Sequence, residues 1–506
     1  MSKAPRIRLL VSVLVLVLGS CTGSDVEVAT TTTTTGPATT TTVATTTTTR
    51  PPSTLVWAPC RSAECASLTV PLDHDDLSLG SIDLKVARRL ARRPAARIGV
   101  LLFNPGGPGV PGTPIIIEGA QHFFSSMLLD RFDVVSWDPR GVSAGTEVDC
   151  VDDLNRYLAP DPTPETREES DSIIETFRGF AVGCAERSGH LLPHLSTMST
   201  ARDMDLLRAA LGEEKISYLG NSYGAALGAV YATLFPERVR AMVLDGAVDL
   251  SAPYAERWVQ KLKAQERALN TALQSCATNP SCAFHSEGDP FTALDKLLTS
   301  LDRDPLVVND IEVGLAHALW AVYWGLMSEQ QWPYLMNALA QAQDGNGSRL
   351  LDLAVPRHAL IESYFAISCL DEPTAGLPPP QSVIDELLAI APRLGPFQVE
   401  ARDLCGVWPA DLDPPPPLTG AGAPPILAIG TTGDIATPLE SGRDLAEHLE
   451  HGVLLIVERN HHTAYEPSQP DARCVNETID HYLVDLETPP NLSVCQHGEP
   501  QLQPPD

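Results

Sequence analysis

Positive charge is what this chain has least of. Lysine and arginine together number 35 against 64 aspartates and glutamates, a formal net charge of −29 over 506 residues. A surface this acidic repels phosphate backbones and anionic head groups, so no nucleic-acid partner is expected. Solubility is its main consequence, and a preference for cationic substrates, including peptides with free amino termini, is a second. Long apolar runs are also scarce. The stretch Leu9 to Leu18 is too short for a comfortable membrane span, and no other stretch is a better one. No cysteine sits in a zinc-binding or catalytic spacing, and there is no internal repeat. No metal and no cofactor are expected.

The amino-terminal residues read as an export signal. Lys3, Arg6 and Arg8 form a basic region, an apolar segment follows, and Leu18-Gly19-Ser20-Cys21 is a lipobox. Residues 1–21 are expected to be a lipoprotein signal peptide with Cys21 as the lipidated residue; a plain secretory peptide or an uncleaved anchor is the alternative. Residues 22–54 are rich in threonine and poor in apolar side chains, a composition that cannot bury enough surface to fold. They are expected to form a solvated stalk, so that the only membrane contact is the lipid anchor and the protein faces outward or is secreted. Ten further cysteines permit five disulfides in an oxidising compartment. Sequence neighbours suggest Cys60–Cys65, Cys150–Cys184, Cys276–Cys282, Cys369–Cys405 and Cys474–Cys495.

The chemistry-bearing pattern is Gly220-Asn221-Ser222-Tyr223-Gly224, set between a strand-like run, Ile216 to Leu219, and a helix start rich in small residues. A serine on a strained strand-to-helix turn projects its hydroxyl into a cleft, and the flanking glycines avoid clashes there. Upstream, the apolar run Ile98 to Phe103 ends in Asn104-Pro105-Gly106-Gly107-Pro108-Gly109. A glycine-rich turn after a buried strand leaves backbone N–H groups free to face an anion. Gly107 and Tyr223 are the candidate oxyanion donors. Phe132 to Trp137 runs into Asp138-Pro139-Arg140-Gly141, and Val239 to Leu244 follows the serine's helix. This alternation of strand and helix predicts a parallel sheet with right-handed crossovers.

A serine nucleophile needs a base and a carboxylate that orients it. The late apolar strand Pro425 to Gly430 delivers Thr431-Thr432-Gly433-Asp434, with helix signals at Thr437 as N-cap and Pro438. Asp434 is the expected acid; a capping role for it, or Asp245 or Asp249 in its place, are the alternatives. The apolar strand Val453 to Val457, the last expected, leads to Asn460-His461-His462-Thr463-Ala464-Tyr465. His462 is the preferred base and His461 the alternative. The His-His pair with Asp434 lacks the further ligands a zinc site needs.

Taken together, these blocks resemble the secreted tripeptidyl-aminopeptidase-like branch of the prolyl aminopeptidase clan, over roughly residues 55 to 500. The resemblance implies an α/β-hydrolase fold with Ser222 as nucleophile, Asp434 as acid, His462 as base, and Gly107 and Tyr223 as oxyanion donors. One departure is His461, where the family usually has glycine. The branch includes aminopeptidases, endopeptidase-like enzymes and esterases. An exported aminopeptidase releasing short N-terminal peptides or residues is therefore expected, with a carboxylesterase using the same triad, or a non-catalytic surface binding protein, as alternatives. Peptides or small esters are the expected substrates, and a monomer the expected state.

Residues 55–250 are expected to hold the first part of the hydrolase core, 251–418 a helical lid, and 419–506 the rest of the core. Within the lid, helices are predicted over Tyr254 to Cys276, Phe291 to Leu301, Val313 to Ala342 and Val383 to Ala391, with no strand rhythm. An aminopeptidase must hold the substrate's ammonium, and Asp371, Glu372 and Glu118 are the candidate carboxylates.

Overall fold

Strands β4 (Gly99–Asn104), β5 (Phe132–Trp137) and β10 (Ile426–Thr431) are buried at every position. Continuous apolar runs of this kind belong to strands covered on both faces. In a computed structural model of the chain, residues 54–142, 145–164, 166–354, 358–372, 381–395, 403–498 and 502–503 are described. The expected signal peptide with Cys21, and the stalk up to residue 53, lie outside them.

The remaining strands are β1 (Ala58–Cys60), β2 (Ala63–Pro71), β3 (Ser81–Arg89), β6 (Ile216–Asn221), β7 (Val239–Asp245), β8 (Leu306–Val308), β9 (Ile311–Val313), β11 (Gly452–Val457), β12 (Ser493–Cys495) and β13 (Leu502–Gln503). Among the described residues they form an eleven-stranded sheet in the order β1-β2-β3-β5-β4-β6-β7-β10-β11-β12-β13 and a separate β8-β9 hairpin. From β5 across to β12 the strands run parallel; β1, β2, β3 and β13 add antiparallel margins. Strand order reverses around β4, which lies between β5 and β6. Ligands of open α/β sheets bind beyond the carboxyl ends of strands at such a point. Here that edge carries the 104–109 turn and the Ser222 turn.

Two apolar clusters cover the sheet, one including Trp137, Tyr218, Tyr231 and Met242, the other Phe103, Phe132, Leu455 and Tyr482. A third, built on Leu269, Leu294, Leu319 and Leu339, belongs to the helices inserted between β7 and β10. These helices include Tyr254–Thr278, Pro290–Arg303, Leu315–Gly325, Trp332–Gln343, His358–Asp371 and Gln381–Ile390. All five disulfides join the pairs named from sequence neighbours.

Several expectations need correction. The β8-β9 hairpin interrupts a region read as wholly helical: Asn309 and Asp310 have φ of 49° and 66°, the left-handed backbone that asparagine and aspartate tolerate in tight hairpin turns. The helix expected over Val313 to Ala342 is two, because Ser328 is extended and its hydroxyl accepts from the Gln330 N–H. Helices Arg167–Ser188 and His358–Asp371 come in addition to those expected. β11 is not the last strand, since Cys474–Cys495 ties the short β12 to the Arg473–Asp485 helix.

Candidate active site

Ser222 has φ 57° and ψ −124°, a backbone state costly for any residue with a side chain and held only by its surroundings. Its N–H donates to the Asp245 carbonyl at 2.7 Å. Behind it the Tyr223–Leu234 helix passes so close to β4 that a Cβ on Gly224 would lie 2.5 Å from the Asn104 carbonyl oxygen. In front, the 104–109 turn presses on the serine: a Cβ on Gly106 would stand 3.0 Å from Ser222 Cβ and 3.3 Å from Tyr223 N. Asn104 Oδ1 accepts the Gly106 N–H at 2.9 Å and fixes the turn. Gly107 is next, with φ 110°. Tyr223 opens its helix, where N–H groups lack intrahelical partners.

Asp434 lies at the carboxyl edge of β10 and is fully buried. Its Oδ1 accepts from the N–H groups of Ala436 and Thr437 at 2.8 and 2.9 Å, and its Oδ2 from the Thr437 hydroxyl at 2.9 Å. Thr437 therefore serves the carboxylate and does not cap the next helix, Leu439–His448, which begins after Pro438. His462 Nδ1 stands 2.9 Å from both Asp434 oxygens. The ring's hydrogen bonds run through Nδ1, to Asp434 and at 3.4 Å to Thr437. Among the described residues Nε2 has no hydrogen-bond partner.

Burial pushes the Asp434 carboxyl up, but His462 and the surrounding donors outweigh it and hold it below the usual carboxylate range. Burial pulls the His462 imidazole down, Asp434 more than compensates with help from Asp245, and the net shift is upward. Lys261 opposes that rise.

The alternatives separate clearly. His461 Nδ1 faces the carbonyls of His462 and Thr463, at 2.7 and 3.1 Å, and not Asp434. The Asp245 carboxylate accepts from the N–H groups of Ala464 and Tyr465 at 2.8 to 3.0 Å. It thus holds the histidine loop while its own carbonyl holds Ser222. A methyl group on Gly246 would lie 3.5 Å from His462 Cε1, so Ser222 and His462 flank the same short segment. Asp249 binds Ser251 and His448 instead. Among the described residues, no group of His, Cys, Asp or Glu could hold a metal ion.

The three candidate ammonium-binding carboxylates have different surroundings. Glu118 is exposed and pairs with Arg61. Asp371 is buried with both oxygens occupied, one by the Thr197 N–H at 2.8 Å and one by its hydroxyl at 2.5 Å. That hydroxyl also meets the Tyr223 hydroxyl at 2.6 Å. Asp371 therefore braces the residue after Ser222, with each of its oxygens engaged by Thr197. Burial pushes its carboxyl up to about 7, against the pull of Thr197. Glu372 is nearly buried and paired with Arg257.

Three contacts went unread in the sequence. Met327 O accepts the His462 N–H at 2.7 Å, Glu329 N–H donates to the Asn460 carbonyl at 2.8 Å, and Asn460 Nδ2 donates to Glu329 Oε2 at 3.0 Å. Together they pin the histidine loop to the inserted helices. No local signal marks them, because they join segments more than 130 residues apart.

The α/β hydrolase fold family matches residues 99–467. The chain is 34% identical over 490 residues to the serine protease Hip1 of Mycobacterium tuberculosis, covering 87% of this chain and 90% of that protein. It is 32% identical over 477 residues to the tripeptidyl aminopeptidase of Streptomyces lividans, covering 88% and 86%. It is 33% identical over 459 residues to carboxylesterase B of Mycobacterium tuberculosis, covering 86% of each. With a strained serine at the β6 turn and a histidine–aspartate pair beyond β10 and β11, this chain belongs to the α/β-hydrolase fold family and is a serine hydrolase.

Proposed function

We propose that the protein is an exported serine peptidase of aminopeptidase type, with Ser222 as nucleophile, His462 as base and Asp434 as the residue that orients it. The observation that carries this reading is the pairing of His462 Nδ1 with Asp434 at 2.9 Å, which leaves Nε2 available to a serine held at φ 57°. His462 takes the Ser222 proton as the hydroxyl attacks the scissile carbonyl, then gives it to the departing amine. Asp434 keeps the proton-bearing Nδ1 turned inward and stabilises the imidazolium. The N–H groups of Tyr223 and Gly107 receive the developing oxyanion, where each donor is worth about 3–4 kcal/mol of barrier. Water then repeats the sequence on the acyl-enzyme. In the unliganded state the serine–histidine contact is often loose and tightens with substrate.

Aminopeptidase specificity draws on the likeness to a protein named tripeptidyl aminopeptidase. Glu372 is the candidate lid carboxylate for a substrate ammonium; burial pushes its carboxyl up and the paired Arg257 opposes that rise. Export draws on the five disulfides, which belong to an oxidising compartment. A carboxylesterase reading has one observation in its favour. The chain's likeness to a protein named carboxylesterase B supports it.

The deciding experiment compares tripeptidyl anilides with free and with blocked amino termini, single aminoacyl anilides and short p-nitrophenyl esters, using wild type and Ser222→Ala. Cleavage of free but not blocked peptides, lost in the variant, is expected. Cleavage of esters alone overturns the peptidase reading and keeps the triad.

A further inference from the structure

The Tyr254–Thr278 helix carries Arg257, Lys261 and Gln265 four residues apart, a spacing that lines them along one face. Both ends of this row are anchored. Arg257 pairs with Glu372 beside the end of the His358–Asp371 helix. Gln265 donates to the Ile435 carbonyl at 3.4 Å, one residue beyond Asp434. Lys261 stands between them in the row, and its charge is felt at both Asp434 and His462.

The Lys261 ammonium lies 5.3 Å from the Trp258 ring centre and 5.5 Å from that of Tyr323. Ring contacts of this kind hold a cation in place without neutralising it. Among the described residues Lys261 has no ion pair, whereas Arg257 has Glu372 and the nearby surface Lys263 has Glu386. The charged and titratable groups around it are Arg257 on its own helix, Asp434 and His462 beyond the strands, Tyr323 on the Leu315–Gly325 helix, and Tyr364 with Glu372 on the third side. Arg257 is committed to Glu372, and Asp434 to His462. Lys261 is the cation left over. Burial, then Arg257, pulls its ammonium down to about 8, with Asp434 opposing. A desolvated charge without a partner is costly, and an incoming anion removes that cost.

We propose that Lys261 is the anion-binding residue of the substrate cleft, and that the peptides cleaved best carry a carboxylate beside the scissile bond. This rests on the peptidase reading and narrows it. The carboxylate has two sources, an acidic side chain or the free carboxyl terminus of a short peptide. Either source would bring its carboxylate to Lys261, since Arg257 is already paired with Glu372.

The test measures kcat/KM on two matched pairs: a tetrapeptide with a free carboxyl terminus against its amide, and a tripeptidyl anilide ending in glutamate against glutamine. Wild type is expected to prefer the carboxylate member of at least one pair by about tenfold near neutral pH. The pair that shows the preference identifies the source. Lys261→Met is expected to abolish the preference, Lys261→Arg to keep part of it, and Lys263→Met to keep all of it. In wild type the preference should fade between about pH 7 and about pH 9.5 as the ammonium is lost. The titration of His462 cancels within each pair, so this arm decides the matter even if Lys261→Met does not fold. No preference in either wild-type pair, or one unchanged in Lys261→Met, overturns the proposal. Failure to cleave any peptide overturns the peptidase reading separately; the pair is then rebuilt on p-nitrophenyl hemiglutarate against its methyl ester, where the same outcomes decide Lys261.

Discussion

The Met327 carbonyl accepts the backbone N–H of His462 at 2.7 Å. Residue 327 lies in the segment inserted between β7 and β10, just past the Leu315–Gly325 helix, and residue 462 in the loop after β11, so the insertion holds the candidate base through its main chain. Ser328 and His461 form an isolated bridge beside this bond, and Glu329 and Asn460 add two more hydrogen bonds. The pairing resembles a short strand addition. It couples where the inserted helices sit to where the imidazole points.

That coupling is testable at one residue. Glu329 opens a 3-10 turn, where proline fits, and Ser328 before it is extended, as a residue before proline prefers. Glu329→Pro therefore removes both the N–H and the side-chain acceptor while the local backbone stays compatible. The loss of two hydrogen bonds near the surface costs about 1–2 kcal/mol. The expected outcome is a kcat reduced roughly three- to tenfold, a misaligned base being a cost in the transition state, with a small shift in melting temperature. Full kcat with lowered stability would make the contact merely structural.

Ser222 holds its strained backbone for function, which makes a signed prediction about stability. Glycine tolerates φ 57° and ψ −124° without the Cβ penalty. Ser222→Gly should therefore be more stable than Ser222→Ala by about 1 kcal/mol or more, read by thermal unfolding. Both variants should lose at least about 10⁴-fold in kcat. An alanine variant that turns over like wild type would remove Ser222 from the mechanism.

The chain's own sequence made the ends of strands readable. The buried parallel strands are largely apolar runs, and the site forms on the residues just beyond their carboxyl ends. Gly220 to Gly224, Asp434 and His462 could therefore be found by position and residue type. The choice between His461 and His462 could not, because both rings leave the same loop; in space it is His462 that faces Asp434. Asp371 and Thr437 take roles other than those expected for one reason: a carboxylate or hydroxyl in a sequence does not show which donor it faces. Lys261, Met327 and Glu329 gave no signal, since only the packing of the insertion brings them to the site.

The acid limb of the pH–rate profile should follow His462. Asp434 raises its pKa above the ordinary 6.5, so the protonated, inactive form persists to higher pH. kcat/KM should rise through an apparent pKa above 6.5. Asp434→Asn removes the largest raising influence, and should move that limb down while lowering kcat by about 10⁴. For stability the signs differ. The raised imidazole contributes fully below its unfolded value of 6.5 and loses its contribution as pH rises through the folded value. The depressed Asp434 contributes above 3.8 and loses its contribution as pH falls below it. The pair is therefore strongest between those limits. An acid limb lying below 6.5 would contradict the pairing of these two residues.

Asp371 gives the opposite sign, and a sharper contrast between two variants. Burial raises its carboxyl from 3.8 to about 7, so the folded protein binds a proton there that the unfolded chain has already released. Its contribution to stability is therefore present at low pH and is lost as pH rises from about 4 towards 7. Asparagine at this position keeps a carbonyl for the Thr197 N–H and offers an N–H₂ to the Thr197 oxygen, which leaves the hydroxyl proton for Tyr223. It carries no charge to bury. Asp371→Asn should therefore flatten the stability profile between about pH 4 and 7 and match or exceed wild type at the alkaline end. Asp371→Ala leaves Thr197 N–H unpaired in the interior and should cost about 1–3 kcal/mol. Because Thr197 also holds the Tyr223 hydroxyl, the alanine variant should lose kcat along with stability, while the asparagine variant keeps most of it. Chemical unfolding at several pH values, with kcat measured on the same preparations, reads both. Equal destabilisation by asparagine and alanine would mean that the ionised carboxylate itself is what Thr197 and Tyr223 require.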